Sequence, residues 1–302
     1  MKFGPENRKI EFPLRNPFAA SGDQPHRRHR RLKHIAFLPS FITLINGACG
    51  FIAIVLASDG RFALAGYVIF LAMVADVLDG RVARLTRTTS SFGGQLDSLS
   101  DAVSFGVAPA FLMFKLVELH LEFLGFEDIA FSIFLVRVII VSAVLYAMCA
   151  IVRLARFNVE NDEDEAAHMN FAGLPSPAAA GAVVSLIIFH QQILPQFVDE
   201  TTRTFHIATV TAAPALTVLA GILMVSRIRY PHVANQLLRS KKSLGFLLTI
   251  FATGLLVAWN IQIAFVVGFC GFALFGVLRW VISLFRKPAP KNETPPAANP
   301  QE

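Results

Sequence analysis

The feature of this sequence that most limits its fold is a series of apolar runs long enough to cross a lipid bilayer. A spanning helix needs roughly 20 predominantly apolar residues. Eight such candidate spans lie at about 35–57, 61–79, 95–117, 130–152, 172–194, 207–226, 245–259 and 262–285. A soluble all-helical protein is the alternative, but a chain with 54% hydrophobic and only 16% charged residues favours the membrane. The sequence therefore predicts an all-α fold, a polytopic membrane helical bundle of about eight transmembrane helices.

The apolar runs and the polar segments around them divide the 302 residues into four parts. We expect a basic N-terminal arm at 1–34, a core at 35–231, a C-terminal transmembrane extension at 232–285 and a tail at 286–302. Five prolines in the tail predict that it is disordered.

The Lys and Arg residues are distributed by membrane side. The arm carries nine of them against three acidic residues, and together with the tail and the predicted loops near 80–93, 153–171 and 227–243 it holds most of the Lys and Arg. The opposite loops are nearly free of Lys and Arg, which is the asymmetry of a protein whose basic loops lie in the cytoplasm. The sequence thus predicts a multi-pass protein of the cell membrane with both termini on the cytoplasmic side. The same distribution explains the net charge of +6 without nucleic acid as a partner.

Four carboxylates stand where the predicted second and third spans reach the cytoplasmic boundary: Asp76, Asp79, Asp97 and Asp101. An ionisable group at membrane depth is costly unless it is paired or hydrated, so such groups usually serve a function. No Lys lies between them, and carboxylate oxygens are the ligands that Mg²⁺ or Mn²⁺ prefers. The alternative is that the carboxylates bind no ion. Asp76 and Asp79 would then lie at the end of one helix, and Asp97 and Asp101 would stabilise the N-terminus of the next helix by their negative charge. The clustering favours a site where two divalent ions hold a diphosphate.

The residues beside the first two carboxylates define a helix face. Together with those carboxylates, Gly80, Ala83 and Arg84 fall at the spacing of one face of an α-helix. Gly80 and Ala83 leave a shallow trough where a flat base or sugar can approach the backbone, and Arg84 can bind a phosphate. We expect Gly93 to make the turn between the two helices, so that their carboxylates face each other.

These positions fit, without a gap or mismatch, the signature D-x2-D-G-x2-A-R-x8-G-x3-D-x3-D, and on it the chain resembles the CDP-alcohol phosphatidyltransferases. The resemblance implies a homodimeric membrane fold with a six-helix catalytic core that uses CDP-diacylglycerol. It also implies that Asp76, Asp79 and Asp97 bind two divalent ions, Mg²⁺ or Mn²⁺, and that Asp101 shares this ligation and acts as the general base. The residues that we expect to contact the CDP group are Gly80, Ala83, Arg84, Gly93 and Thr43.

Four further stretches resemble one branch of this family, the membrane-embedded phosphatidylserine synthases. They lie at 38–46, 153–158, 171–177 and 224–231. This branch implies L-serine as the acceptor. One position departs from the family pattern, because Ser40 stands where the family usually has Asn after a proline. Any polar contact at that position must therefore use a shorter side chain.

Candidate acceptor-binding residues follow the fourth predicted span, where Arg153, Arg156 and Asn158 lie on the same membrane side as the aspartates. Two guanidiniums one helical turn apart can bind a carboxylate by charge-assisted hydrogen bonds. Ordinary cytoplasmic anchors would look the same in the sequence. Thr43 and Asn46, within one turn of each other on the first span, are also open to two interpretations: substrate contacts or hydrogen bonds between helices.

The reaction implied by the resemblance is direct displacement, in which the serine hydroxyl attacks the lipid-side phosphorus of CDP-diacylglycerol and releases CMP. One alternative keeps this chemistry with another acceptor: glycerol 3-phosphate, inositol phosphate, choline or a second lipid. A divalent-cation transporter is the alternative from another class, and it predicts acidic residues near mid-span on several helices. The expected partners are CDP-diacylglycerol, L-serine, membrane lipids and a second copy of the chain.

Overall fold

The computed structural model describes residues 27–86, 90–124, 129–163, 173–197, 199, 202–228, 230 and 260–285, with side chains from residue 38 onward except at 91, 160–163 and 284. Within these ranges all regular secondary structure is helical. The helices are α1 (Arg27–Ser58), α2 (Phe62–Thr86), α3 (Ser91–Asp101), α4 (Ala108–Leu124), α5 (Ile129–Glu163), α6 (Ser176–Gln192), α7 (Arg203–Val225) and α8 (Ile261–Phe285). A π-helical segment, Ala102–Val107, joins α3 to α4, and a 3₁₀ turn, Leu194–Gln196, follows α6.

Seven helical stretches of the described residues are long and apolar enough to cross a membrane. They are Leu38–Ser58, Phe62–Thr86, Phe92–Leu124, Ile129–Val159, Ser176–Gln196, Arg203–Val225 and Ile261–Ser283. The predicted all-α, multi-pass bundle is thereby confirmed. The predicted span at 245–259 lies outside the described residues, as do residues 1–26 and the tail after 285. The total of eight spans therefore stays a prediction.

The outer surface of the bundle is apolar. Phe51, Val141 and Phe275 are each more than half exposed, and they belong to three different spans. Contiguous apolar surface of this kind requires a covering partner, and surrounding lipid provides one. Inside the bundle, α1 packs against α2, α3 and α4, while α5 packs against α7, and α6 against α8. The exposed apolar side chains disfavour the soluble alternative.

The π-helical segment is held from two sides, directly after Asp101. A Cβ atom on Gly50 of α1 would lie 2.6 Å from Oγ of Ser104, so glycine is required for this close approach. Ser104 donates its hydroxyl hydrogen to the carbonyl oxygen of Asn46 at 2.8 Å. From the other side, the buried Tyr146 of α5 donates to the carbonyl oxygen of Phe105 at 3.1 Å. These contacts fix the end of α3, and π-helical segments inside longer helices are frequent at functional sites.

The chain before α6 is anchored to the end of α7. Gly173 has a φ of 94°, and a Cβ there would collide with the carbonyl oxygen of Met224, so only glycine fits. Its amide donates to the carbonyl oxygen of Ile228 at 2.9 Å. Pro175 precedes the helix and Pro177 lies in its first turn, where a missing N–H is tolerated. The start of α6 is thereby placed against the described end of α7.

Candidate active site

Three carboxylates meet where α2 and α3 face each other. Asp76 of α2 and Asp97 and Asp101 of α3 each offer one carboxylate oxygen, and these oxygens all lie within 4.8 Å of one another. At that separation two ionised carboxylates repel by about 3.5 kcal/mol if the effective dielectric constant is about 20. Such a group needs a cation or protons to be stable, and it could hold a metal ion.

The N-terminus of α3 differs from the prediction at Gly93. We expected this residue to make the turn between the two helices, but it lies in the first turn of α3. Its amide donates to Oγ of Ser90 at 3.0 Å. Ser90 is the N-cap residue, and a serine at this position satisfies an amide that has no partner within the helix. The prediction was wrong because the helix begins before the glycine.

Asp79 lies next to this group without belonging to it. Its side chain is buried, and its Oδ2 has no hydrogen-bond partner among the described residues. The same is true of Oδ1 of Asp97. A buried carboxylate oxygen without a partner is costly, so these two atoms are suited to bind a cation. Because every donor is a carboxylate oxygen, the residues fit a hard divalent cation such as Mg²⁺ or Mn²⁺.

A cleft of about 170 Å³, which we call the small cleft, opens beside Asp79 and Asp97. Four of the five residues predicted to contact the CDP group line it: Thr43, Gly80, Ala83 and Gly93. A Cβ on Gly80 would meet no atom within 4 Å, so the glycine leaves this wall open. Ser40, the residue that departs from the family pattern, also lines the small cleft.

Arg84, the fifth predicted residue, is placed differently. Its side chain is exposed, and it is not among the residues that line the small cleft. Its Nε donates to the carbonyl oxygen of Gly80 one turn earlier, at 3.0 Å. The guanidinium therefore lies along its own helix, next to Gly80, which leaves the cleft wall open.

A larger cavity of about 600 Å³, which we call the large cavity, adjoins the small cleft and shares Ser90, Gly94 and Asp97 with it. Asp76, Asp97 and Asp101 line it, together with Arg153 and Asn158 of α5. Arg153 is half-buried, and its guanidinium donates to Oγ of Ser176 at the start of α6, at 2.5 Å. The structure thus brings two of the three predicted acceptor-binding residues to the carboxylates.

Arg156, the third of them, does not line the large cavity and is exposed. It lies one turn beyond Arg153 on the same helix, α5. Asn158 is held in the cavity wall by Ser98 of α3. Nδ2 of Asn158 is 2.9 Å from Oγ of Ser98, and that Oγ is 3.1 Å from Oδ1 of Asn158.

Asn46 is a site residue whose role the sequence left open. It is fully buried on α1, and its Nδ2 donates to Oδ1 of Asp101 at 2.9 Å. Ser98 and Ser176 were not predicted at all, because each contacts a residue far along the chain. Asn46 could be singled out in the sequence because its amide lies one turn after Thr43. That spacing does not show which helix the amide faces.

These features define a multi-pass membrane protein with a carboxylate site at one end of the bundle, between two cavities. The family model of the CDP-alcohol phosphatidyltransferases matches residues 36–275. The chain belongs to this family, so the resemblance that the aspartate motif indicated is confirmed.

Relatives match over most of their own length. The chain is similar to the CDP-diacylglycerol–serine O-phosphatidyltransferase of Helicobacter pylori, with 30% identity over 256 residues, 85% of this chain and 96% of the relative. A protein of the same name from Methanocaldococcus jannaschii is 32% identical over 251 residues, 83% of this chain and 97% of the relative. The archaetidylserine synthase of Methanothermobacter thermautotrophicus is 32% identical over 206 residues, 68% of this chain and 73% of the relative.

Proposed function

We propose that this protein is an enzyme that transfers the phosphatidyl group of CDP-diacylglycerol to L-serine, giving phosphatidylserine and CMP. The observation that carries the proposal is that the small cleft and the large cavity meet at Asp97. A transferase needs a donor and an acceptor on opposite sides of the reacting phosphorus, and two cavities that share a carboxylate wall supply such an arrangement. Two of the three relatives are named for CDP-diacylglycerol and one for an archaetidyl lipid, and all three names include serine.

The small cleft is the proposed site of the CDP group. Gly80 and Ala83 present backbone and a single methyl group, which lets a flat ring lie against α2. Thr43 donates its hydroxyl hydrogen to the carbonyl oxygen of Pro39 at 3.0 Å, so its oxygen remains available to accept a further hydrogen bond. The diphosphate would then lie at the Asp79 and Asp97 end of the cleft.

The large cavity is the proposed site of serine. Arg153 is the cation that lines it, and a guanidinium binds a carboxylate by two parallel hydrogen bonds. Ser176 accepts one hydrogen bond from that guanidinium and so restricts its orientation. The serine ammonium group would find acidic partners on the same wall, at Asp76 and Asp101. A zwitterion therefore meets both signs of charge in this cavity, which favours serine over glycerol 3-phosphate or inositol phosphate.

Asp101 is the proposed general base. In the reaction, the serine hydroxyl oxygen forms a bond to the lipid-side phosphorus while the bond from phosphorus to the CMP oxygen breaks. The leaving CMP takes that electron pair, and the hydroxyl proton passes to Asp101. Asn46 holds one oxygen of this carboxylate by its hydrogen bond of 2.9 Å, which leaves the other oxygen for the proton.

The four aspartates are the proposed ligands of two divalent ions, Mg²⁺ or Mn²⁺. The unpartnered oxygens of Asp79 and Asp97 and the close approach of Asp76, Asp97 and Asp101 support this ligand set. Bound ions would neutralise the diphosphate and stabilise the charge that develops on the leaving oxygen. We further propose that this end of the bundle faces the cytoplasm, because the basic arm and the loops that hold most of the other Lys and Arg lie on its side. We also propose that the protein is a homodimer, as the family resemblance implies.

The test is an acceptor panel with purified protein in nanodiscs, CDP-diacylglycerol and Mn²⁺ or Mg²⁺. We expect serine to give phosphatidylserine and CMP in equal amounts, and no product with glycerol 3-phosphate, inositol phosphate or choline. Asp97→Asn is the control for background transfer. A product with glycerol 3-phosphate and none with serine would refute the acceptor and leave the transferase class.

A second arm of this test addresses the transporter alternative. The carboxylates of the site all lie on α2 and α3, beside two cavities, whereas an ion path would place acidic residues along several spans. Protein in sealed liposomes should therefore take up no more Mn²⁺ than empty liposomes. Uptake above that background, together with no transfer to any acceptor, would favour a transporter.

A further inference from the structure

An apolar cavity of about 240 Å³ lies between α4, α6 and α7, and we call it the outer cavity. It extends along α6 from Val183 to His190. At about 1.5 Å per helical residue, these positions are about 10 and 21 Å from Ser176, which contacts Arg153 beside the carboxylates. The hydrocarbon core of a bilayer is about 30 Å thick. The outer cavity therefore lies within hydrocarbon depth and crosses the midplane. On α7 it reaches Phe205, two residues from the end of that helix away from the carboxylate site, so it extends into that half of the membrane.

The few polar side chains in its wall are already bonded to the protein. Nε2 of His190 and Oγ1 of Thr209 are 2.8 Å apart. Thr209 also donates to the carbonyl oxygen of Phe205 at 3.0 Å, and Thr217 donates to that of Ala213 at 2.8 Å. A water molecule in a buried site needs two to four polar partners, and this wall has few to offer. Hydrocarbon is the chemistry that fits the outer cavity.

Among the residues that the structure describes, none covers one side of the outer cavity, which opens sideways from the bundle. Ala208, Ala212 and Leu216 lie at its edge on α7, at the four-residue spacing of one helix face. The two alanines are exposed and Leu216 is 44% exposed, so the opening is bordered by small side chains. The floor is buried: Met113 and Leu116 of α4 are almost inaccessible.

We propose that the outer cavity binds one acyl chain of a membrane lipid from the leaflet opposite the carboxylate site. An apolar space without contents loses the dispersion contacts of its lining side chains, and at this depth lipid chains are the hydrocarbon at hand. A helix of a second copy, about 10 Å wide, is too thick to enter a cavity of this size. This lipid is separate from the substrate, whose head group belongs at the other end of the bundle.

The experiment is photolabelling in nanodiscs of phosphatidylglycerol that carry a fraction of the same lipid with a diazirine near the end of one acyl chain. After illumination, mass spectrometry locates the label. We expect label on the peptides that carry Met113 and Ile187, which line the outer cavity. Ala212→Trp should reduce that label by at least about fivefold, because its indole occupies the opening.

Ala215→Trp is the matched control, since Ala215 is an exposed alanine of α7 that does not line the cavity. It should leave the label unchanged. Ala208→Trp, at the same opening, serves if Ala212→Trp fails to give a monodisperse protein that melts cooperatively. Equal label in the opening variants and the control would overturn the proposal. The proposal would also be overturned if the wild-type cavity takes no label and the Ala212→Trp variant is a monomer where the wild type is a dimer. A second copy would then cover the opening.

Discussion

The side-chain amide of Asn46 on α1 donates a hydrogen bond of 2.9 Å to Oδ1 of Asp101 on α3. Both residues are buried, and the backbone of Asn46 is fixed in turn by Ser104 at 2.8 Å. The proposed base is thus oriented by a helix that carries none of the four aspartates. A hydrogen bond of this kind selects which carboxylate oxygen is available to the acceptor.

Asn46→Ala should lower kcat and leave the KM values for serine and CDP-diacylglycerol within about threefold of wild type, because the bond orients the base and does not bind either substrate. The loss of a hydrogen bond to a charged group, about 1.5 to 3 kcal/mol, corresponds to a decrease in kcat of about 10- to 150-fold. Steady-state kinetics measure it. Ser104→Ala is the control for a purely structural effect, and a KM change in Asn46→Ala without a kcat change would contradict the orienting role.

Asp101→Asn should abolish turnover while CDP-diacylglycerol binding is largely retained, because the amide keeps an oxygen ligand but cannot accept the proton. Binding is measured by the shift in melting temperature that the CDP-lipid causes, and turnover by release of CMP. A variant with more than about a hundredth of wild-type turnover would show that another group takes the proton.

Direct displacement predicts the stereochemistry at phosphorus. Attack by serine inverts the centre once, whereas a covalent phosphatidyl-enzyme would invert it twice. With a chiral phosphorothioate analogue of CDP-diacylglycerol we expect inversion in the phosphatidylserine product. Retention would mean that a nucleophile of the protein takes part in the reaction.

Asp79→Ala should lose both activity and the rise in melting temperature that Mn²⁺ causes, because a bound ion stabilises the folded state only through the ligands that hold it. Asp59→Ala is the matched control, since Asp59 is exposed in the turn between α1 and α2. Thermal unfolding with and without Mn²⁺ measures the difference. If both variants respond to Mn²⁺ like wild type, Asp79 is not a metal ligand.

The sequence predicted the helices well because apolar length alone defines a span. The second predicted span, 61–79, corresponds to Phe62–Thr86, and its polar end was underestimated because Arg81 and Arg84 interrupt the apolar run without interrupting the helix. The π-helical segment after Asp101 was not predictable. It depends on contacts from Ser104 to α1 and from Tyr146 of α5, which lie far apart along the chain.

The candidate site shows the same division. The spacing of the aspartate motif predicted which carboxylates share a helix face, because helical periodicity determines this, and three of the four meet between α2 and α3. The sequence could not separate Arg153 from Arg156, which are three residues apart on one helix. What separates them is the large cavity, which Arg153 lines and Arg156 does not. Arg153 also contacts Ser176, whose position depends on Gly173 and the end of α7.

That difference between the two arginines allows the sharpest test of the acceptor. Arg153 lines the large cavity with the carboxylates, while Arg156 is exposed and outside it. Arg153→Ala should raise the KM for serine by at least about tenfold, the effect of losing a charged hydrogen bond of about 1.5 to 3 kcal/mol, with little change in the KM for CDP-diacylglycerol. Arg156→Ala removes the same charge one turn away, so it controls for the general positive potential and should change the serine KM by less than about threefold.

Equal effects of Arg153→Ala on both substrates would favour a lipid-phosphate or structural role for Arg153. A larger effect of Arg156→Ala than of Arg153→Ala would place the serine carboxylate outside the large cavity.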